Sequence, residues 1–187
     1  MSEQESTLTV GSFGEAPSPV VLRPIADRDE GFLRDLYAST RRAELSVVPW
    51  SPEAKRAFCD SQYTAQDLYY RATYPHARFD VVELGGARVG RLLVDLGAEE
   101  AHVLDITIAE AMRSRGLGTM LMLWVLDVAR RRRVGVRLNV DLSSPAQRLY
   151  ERLGFRAVAA DAIRVDMRWE PWAVDEPCRP STCAAGR

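Results

Sequence analysis

The stretch that most constrains this chain is Ile106-Thr-Ile-Ala-Glu-Ala-Met-Arg113-Ser-Arg-Gly116-Leu-Gly118-Thr119. A β-branched apolar run ends there, a short turn with two glycines follows, and an apolar-periodic helix opens at once. A strand passing into a helix through so short a turn builds a βα unit on a sheet. The first-turn N–H groups of such a helix have no intrahelical acceptor, and the helix dipole favours negative charge beside them. Gly116 and Gly118 carry no Cβ and let a ligand approach the backbone. Arg113 and Arg115 add planar cationic forks suited to phosphate oxygens. The spacing is neither the dinucleotide fingerprint nor a Walker loop, because no Gly-Lys-Ser/Thr follows. A purely structural turn is the competing reading.

Around that unit the pattern lays out the other elements. Residues 20–23 predict a strand stopped by Pro24, and Asp27 can cap a helix with Phe32, Leu33, Leu36 and Tyr37 on one face. Ser51-Pro52-Glu53 starts a helix, Thr64-Ala-Gln-Asp67 can open a further turn, and Tyr74-Pro75 ends it. Trp50, Phe58, Tyr63, Tyr69, Tyr70 and Tyr74 make this region aromatic; most of them read as core packing rather than as a substrate pocket. Residues 79–84 and 88–96 form a hairpin about Gly85-Gly86, and 102–108 is a central strand. The helix after the glycine turn buries Leu117, Met120, Leu121, Trp124, Val125 and Val128 as one stripe. A strand at 136–140 follows, then a short helix from Ser144-Pro145 with Ala146, Leu149, Tyr150 and Leu153 on one face and Gly154 past its end. Strands at 155–160 and 163–169 close the sheet. The order β-α-α-β-β-β-α-β-α-β-β gives an α/β domain, a mixed central sheet flanked by helices, over residues 20–169. Residues 1–19, rich in Ser, Glu, Gly and Pro, read as a disordered leader, and 170–187 as a flexible tail.

Composition narrows the function classes. The net charge of −1 gives no global pull toward nucleic acid or membrane, and the apolar run 120–126 is too short for a bilayer. Between Arg113 and Arg156, however, ten arginines face only Asp127, Asp141 and Glu151, an excess that suits a polyphosphate ligand. Three cysteines without C-x-x-C spacing and two histidines predict a reduced, cytoplasmic protein with no metal site.

The pattern Arg113-x-x-Gly116-x-Gly118 after a strand, with Tyr150-x-x-x-Gly154-Phe155 one strand and one helix later, resembles the acyl-CoA signature of the GNAT N-acetyltransferase superfamily. The resemblance covers residues 101–155 closely and the remainder through its order of elements. It implies acetyl-CoA as co-substrate, with the backbone of Ile106, Thr107 and Ile108 pairing with the pantetheine arm like an added strand. Arg113, Ser114, Arg115, Gly116, Leu117, Gly118 and Thr119 would cradle the pyrophosphate. Tyr150 would be the general acid that protonates the departing thiolate. The superfamily commonly has Asn at the start of the last helix. This chain has Ser143-Ser144-Pro145, so Ser144 is the residue left to cap the helix and meet CoA. The implied activity is acetyl transfer by direct attack of a primary amine, on a small molecule or a protein. A homodimer is possible, as in many relatives. A non-catalytic acyl-CoA-binding sensor of the same fold is the alternative; a generic nucleotide-binding module is disfavoured by the missing third glycine.

The general base is the open position. Asp105 and His102 lie on the central strand and Glu83 on its neighbour. Strand alternation puts Asp105 and His102 on opposite faces unless a bulge intervenes. A carboxyl inside Leu-Asp-Ile-Thr-Ile is either a desolvated group tuned toward base chemistry or a structural hydrogen-bond acceptor. Asn139, on the adjacent strand, has an amide that cannot act as a base.

Overall fold

The structure is a computed structural model that describes residues 7–14 and 18–171. In chain order it contains β1 (Leu8–Phe13), β2 (Ser18–Pro24), α1 (Glu30–Ser46), α2 (Pro52–Thr73), β3 (Arg78–Leu84), β4 (Ala87–Leu96), β5 (Glu100–Ile108), α3 (Leu117–Arg132), β6 (Gly135–Asp141), α4 (Ala146–Arg152), β7 (Arg156–Ala160) and β8 (Arg164–Trp169). The strands form one sheet in the order β1-β2-β3-β4-β5-β6-β8-β7. Among the described strands only β5 and β6 are parallel, joined through α3; every other neighbouring pair is antiparallel.

Local chemistry explains most boundaries. Ser51 Oγ accepts the Ala54 N–H at 3.2 Å and Pro52 opens α2, which then runs unbroken to Thr73, so Thr64 starts no separate helix. Gly85 and Gly86 both have positive φ, +56° and +83°, the requirement of a tight two-residue hairpin turn. Asp27–Asp29 form a 3₁₀ turn ahead of α1, and the N-cap position of α1 is Asp29 rather than Asp27. Arg23 donates to both Asp29 oxygens, at 2.6 and 2.8 Å, and holds this fully buried carboxyl well below the usual range.

The leader requires a correction. Residues 8–13 do not trail free; they form β1, the edge strand against β2, and β1 also packs on α3. The remaining leader residues, 1–6 and 15–17, and the tail beyond Pro171 lie outside the described residues. The core between the sheet and α3 is built on Leu117, Leu121, Met122, Val125, Leu126 and Ala129, all essentially buried. The apolar stripe is therefore turned relative to the expected one. Met120 and Trp124 sit at its margin, partly buried, where they line the groove between α3 and β1. Among the described residues no helix is long and apolar enough to cross a membrane.

Candidate active site

The sheet opens where the site is. β5 and β6 pair only from Glu100↔Gly135 to Val103↔Leu138. Beyond that point β5 continues along β4 as far as Gly90↔Ile108, while β6 follows β8 through Asn139↔Asp166 to Asp141↔Arg164. The two strands thus part into a wedge, leaving backbone N–H and C=O groups of Leu104 to Ile108 without a β6 partner. Unpaired strand edges of this kind accept an extended ligand as an added strand. Ile106, Thr107 and Ile108 lie on this edge.

At the wide end of the wedge the chain turns into α3. Arg113 is extended, Ser114 and Gly116 have φ of +58° and +93°, and the first intrahelical bond is Met120 N–H to Gly116 O at 3.0 Å. The N–H groups of Leu117, Gly118 and Thr119 precede that bond and face the turn. Gly116 needs its left-handed backbone, whereas Gly118 has room: an added Cβ would sit 4.0 Å from Leu149 Cδ2 of α4. Arg115 is exposed. Arg113 is directed back at the strand end, its Nε donating to Ile108 O at 2.9 Å and its Nη2 to Ser39 Oγ at 3.3 Å. Ser144 Oγ accepts the Ala146 N–H at 3.3 Å just ahead of α4, but the N-cap position itself is Pro145, which offers no side-chain cap bond.

Tyr150 is 6% exposed, its ring 5.8 Å from that of Phe155. Burial, assisted by the Asp105 carboxylate, pushes its phenol up to about 12. The phenol therefore keeps its proton across the whole neutral range. The same carboxylate reaches Tyr70, whose phenol is raised chiefly by burial and then by Asp105, and whose OH donates to Leu104 O at 3.0 Å. Two phenols, one from α2 and one from α4, thus share the surroundings of one carboxylate.

A β-bulge at Leu104 sets the facing of that carboxylate. Leu93 opposes Asp105 and Val94 opposes Val103, so Asp105 shares a face with His102, which opposes Asp95. The alternation rule that separates these two residues fails here for that reason. Asp105 is not a lone desolvated carboxyl: its Oδ2 accepts from Arg91 Nε at 2.7 Å and from Thr107 Oγ1 at 3.0 Å. Arg91, almost fully buried, reaches across to Gln66 Oε1 on α2 at 2.6 Å and lies over the Tyr63 ring. Sequence reasoning missed Arg91 and Gln66. The available signal was an arginine inside the apolar run Val89-Gly-Arg-Leu-Leu-Val94, a position that demands a buried partner.

The other base candidates are differently placed. Glu83 accepts from Arg23 Nε at 2.7 Å, in the ion-pair group around Asp29. His102 is 8% exposed with its ring 5.4 Å from Tyr74, and among the described residues nothing bonds its Nδ1. Burial, and next Arg137, lower it to about 4, which keeps the imidazole neutral. A separate cavity of about 440 Å³ between α1 and α2, reaching Lys55 and Cys59, does not include any of these groups. Among the described residues no three His, Cys, Asp or Glu side chains gather as a metal site would need.

The model of the Acetyltransferase (GNAT) family matches residues 32–155. No curated protein sequence matches the chain. Among solved structures, the PaiA N-acetyltransferase of Thermoplasma acidophilum in complex with coenzyme A is 15% identical, covering 81% of this chain and 98% of that one, with a TM-score of 0.63. An acetyltransferase of Thermus thermophilus is 21% identical over 87% of this chain and 99% of its own, at a TM-score of 0.59. RimJ of Mycobacterium smegmatis, in complex with CoA-disulfide, is 17% identical over 84% and 85%, at 0.58. At such identities the likeness is one of fold. The family match spans the parted strands, the glycine turn and Tyr150 together, and the chain belongs to the GNAT acetyltransferase family.

Proposed function

We propose that this chain transfers the acetyl group of acetyl-CoA to a primary amine by direct attack. The observation that carries the reading is the parting of β5 from β6 beside a buried, proton-bearing Tyr150. The backbone of Ile106, Thr107 and Ile108 would take the pantetheine arm, and the turn from Arg113 to Thr119 the pyrophosphate. Neighbours of the same fold are described as complexes with coenzyme A and CoA-disulfide, which favours the same co-substrate here.

In this reading Asp105 takes up the acceptor's ammonium and accepts its proton, with Arg91 and Thr107 fixing Oδ2 so that the carboxylate keeps one orientation. The amine nitrogen bonds to the thioester carbonyl carbon, and the C–S bond breaks. Tyr150 donates its proton to the sulfur as negative charge grows there, and the second proton of the acylated nitrogen then restores the phenol, leaving the neutral amide and the free thiol. A phenol raised to about 12 is a weaker acid than the thiol it generates, so the donation is made while the C–S bond is breaking and not before. The acceptor is a small-molecule or protein amine, and the setting is cytoplasmic.

Calorimetric titration with acetyl-CoA tests the co-substrate. Gly118→Glu, which has room for its Cβ but puts an anion in the cradle, should abolish saturable binding. An amine screen then follows, in which Tyr150→Phe should lower kcat by about 10²- to 10⁴-fold while leaving acetyl-CoA affinity in place. Saturable binding without turnover on any amine, by wild type and Tyr150→Phe alike, would instead mark an acyl-CoA sensor. No binding by a folded protein would overturn the reading.

A further inference from the structure

The cavity of about 440 Å³ between α1 and α2 stands apart from the groups assigned above. Its α1 wall is one helix face, Asp35, Ala38, Ser39, Arg42 and Ser46, which recur at spacings of three, four and seven. Its α2 wall carries Lys55, Arg56 and Cys59. Small side chains at Ala38, Ser39 and Cys59 leave space between the two helices. The volume falls within the range of about 300–1,000 Å³ that small-molecule sites occupy.

The charge of the lining selects the occupant. Arg42, Lys55 and Arg56 face a single carboxylate, Asp35. Arg56 is taken up by Asp35 and Asp60. Arg42 donates through Nη1 to Glu110 at 2.8 Å, and among the described residues its other N–H groups are unused. Lys55 is partly buried, yet among the described residues its ammonium has neither a hydrogen bond nor an ion pair. It is the one lysine in a chain with 25 basic residues, and it supplies a compact point charge where arginine would supply a fork. Cys59 adds no negative charge, because burial raises its thiol. One positive charge is thus left over beside Ala38, Leu45 and Cys59. An amine acceptor, itself a cation, is repelled by such a lining, whereas an organic anion with a small apolar body fits it.

We propose that this cavity is a second ligand site, for a small organic monoanion made of a carboxylate on an apolar body. The carboxylate lies between Lys55 and Arg42, and the body packs against Ala38, Leu45 and Cys59. The site is independent of the acetyl-CoA reading, since it shares no residue with the wedge or the glycine turn.

Because the chain has a single lysine, reductive methylation with ¹³C-formaldehyde gives one lysine resonance that keeps its charge and reports the cavity directly. Benzoate should shift that resonance saturably. Acetate has the charge without the body and benzamide the body without the charge, so each should bind about tenfold more weakly or worse. In calorimetry, benzoate affinity should fall about tenfold or more in Lys55→Gln, which removes the charge-assisted contact. It should fall likewise in Ala38→Leu, which fills the cavity and leaves the lysine in place. Both positions are partly exposed, so the fold is not at stake. Shifts that do not saturate, or that benzoate and acetate produce alike, would reduce Lys55 to a solvated surface charge and overturn the site. So would displacement of benzoate by acetyl-CoA, which would make the cavity part of the coenzyme's path. Benzoate binding by a protein that does not take acetyl-CoA would support the site while overturning the proposed reaction.

Discussion

At the scale of single residues, the molecule keeps several ionisable groups in the protonation state their burial dictates. Burial and the nearby Arg137 lower His102 from the ordinary imidazole value of 6.5 to about 4 by disfavouring the imidazolium, against the opposing pull of Glu100, Asp95 and Asp166. Between those two pH values the unfolded chain binds a proton that the folded chain does not. Stability is therefore fully present above pH 6.5 and is lost as pH falls toward 4, by about 3 kcal/mol in all. Urea unfolding followed from pH 7 to pH 4 in wild type and in His102→Gln checks this. The carboxylates titrate alike in both proteins, so the difference between the two curves isolates the imidazole. A difference that stays flat across the window would show that His102 takes its proton in the folded state too. Tyr70 and Tyr150 have the opposite sign: their raised phenols make stability present below the ordinary tyrosine range and lost only in strong alkali.

At the scale of elements, close backbone approach fixes where the end of β5 lies. Gly90 on β4 opposes Ile108, and a Cβ there would meet Thr107 O at 2.5 Å and Ile108 Cδ1 at 2.9 Å. Gly90→Val must therefore push the end of β5 outward, against backbone that cannot rotate away. We expect a loss of about 1–3 kcal/mol, a fall in Tm of several degrees, and weaker acetyl-CoA binding, because the displaced residues edge the wedge. Thermal unfolding and calorimetry on one preparation read both; a stable variant with intact binding would contradict the packing argument. The same scale separates what the residues announced from what they concealed. Gly85-Gly86, Ser51-Pro52-Glu53 and the turn from Arg113 to Thr119 carry their reasons locally, in φ, in capping and in the missing Cβ, and each was legible. β1 was not, because Leu8-Thr-Val-Gly-Ser-Phe13 is short, is interrupted by glycine and lies among Ser, Glu and Pro. Its pairing with β2 and its contact with Met120 supply what its own propensity lacks. The bulge at Leu104 was equally silent, since only the register against β4 reveals it. Arg91 could be seen in the sequence but not its partners, which lie on two other elements.

At the scale of the whole molecule, one core spans a sheet that is nearly divided. Val136, Leu138, Val140, Val165, Met167 and Trp169 share a single apolar cluster with β4, β5 and α3. In the sheet itself, however, β6, β7 and β8 hang on four residue pairs between β5 and β6, and β7 is exposed along its length. Local opening follows such lines of sparse pairing. The β6–β8 unit should therefore exchange its amide hydrogens at a lower free energy than β2 to β5, in native-state exchange without ligand. An extended ligand inserted in the wedge would bond to the β5 edge and pack against the β6 side, joining the two parts of the sheet. Acetyl-CoA at a hundred times its Kd should then stabilise the fold by about 2.7 kcal/mol. Added protection should concentrate at Ile106 to Ile108, at Leu117 to Thr119, and in β6 and β8. Protection confined to the glycine turn, with β6 and β8 unchanged, would mean that the phosphates bind while the arm stays out of the wedge. In that case the parting of the strands would belong to the fold's architecture and not to its chemistry.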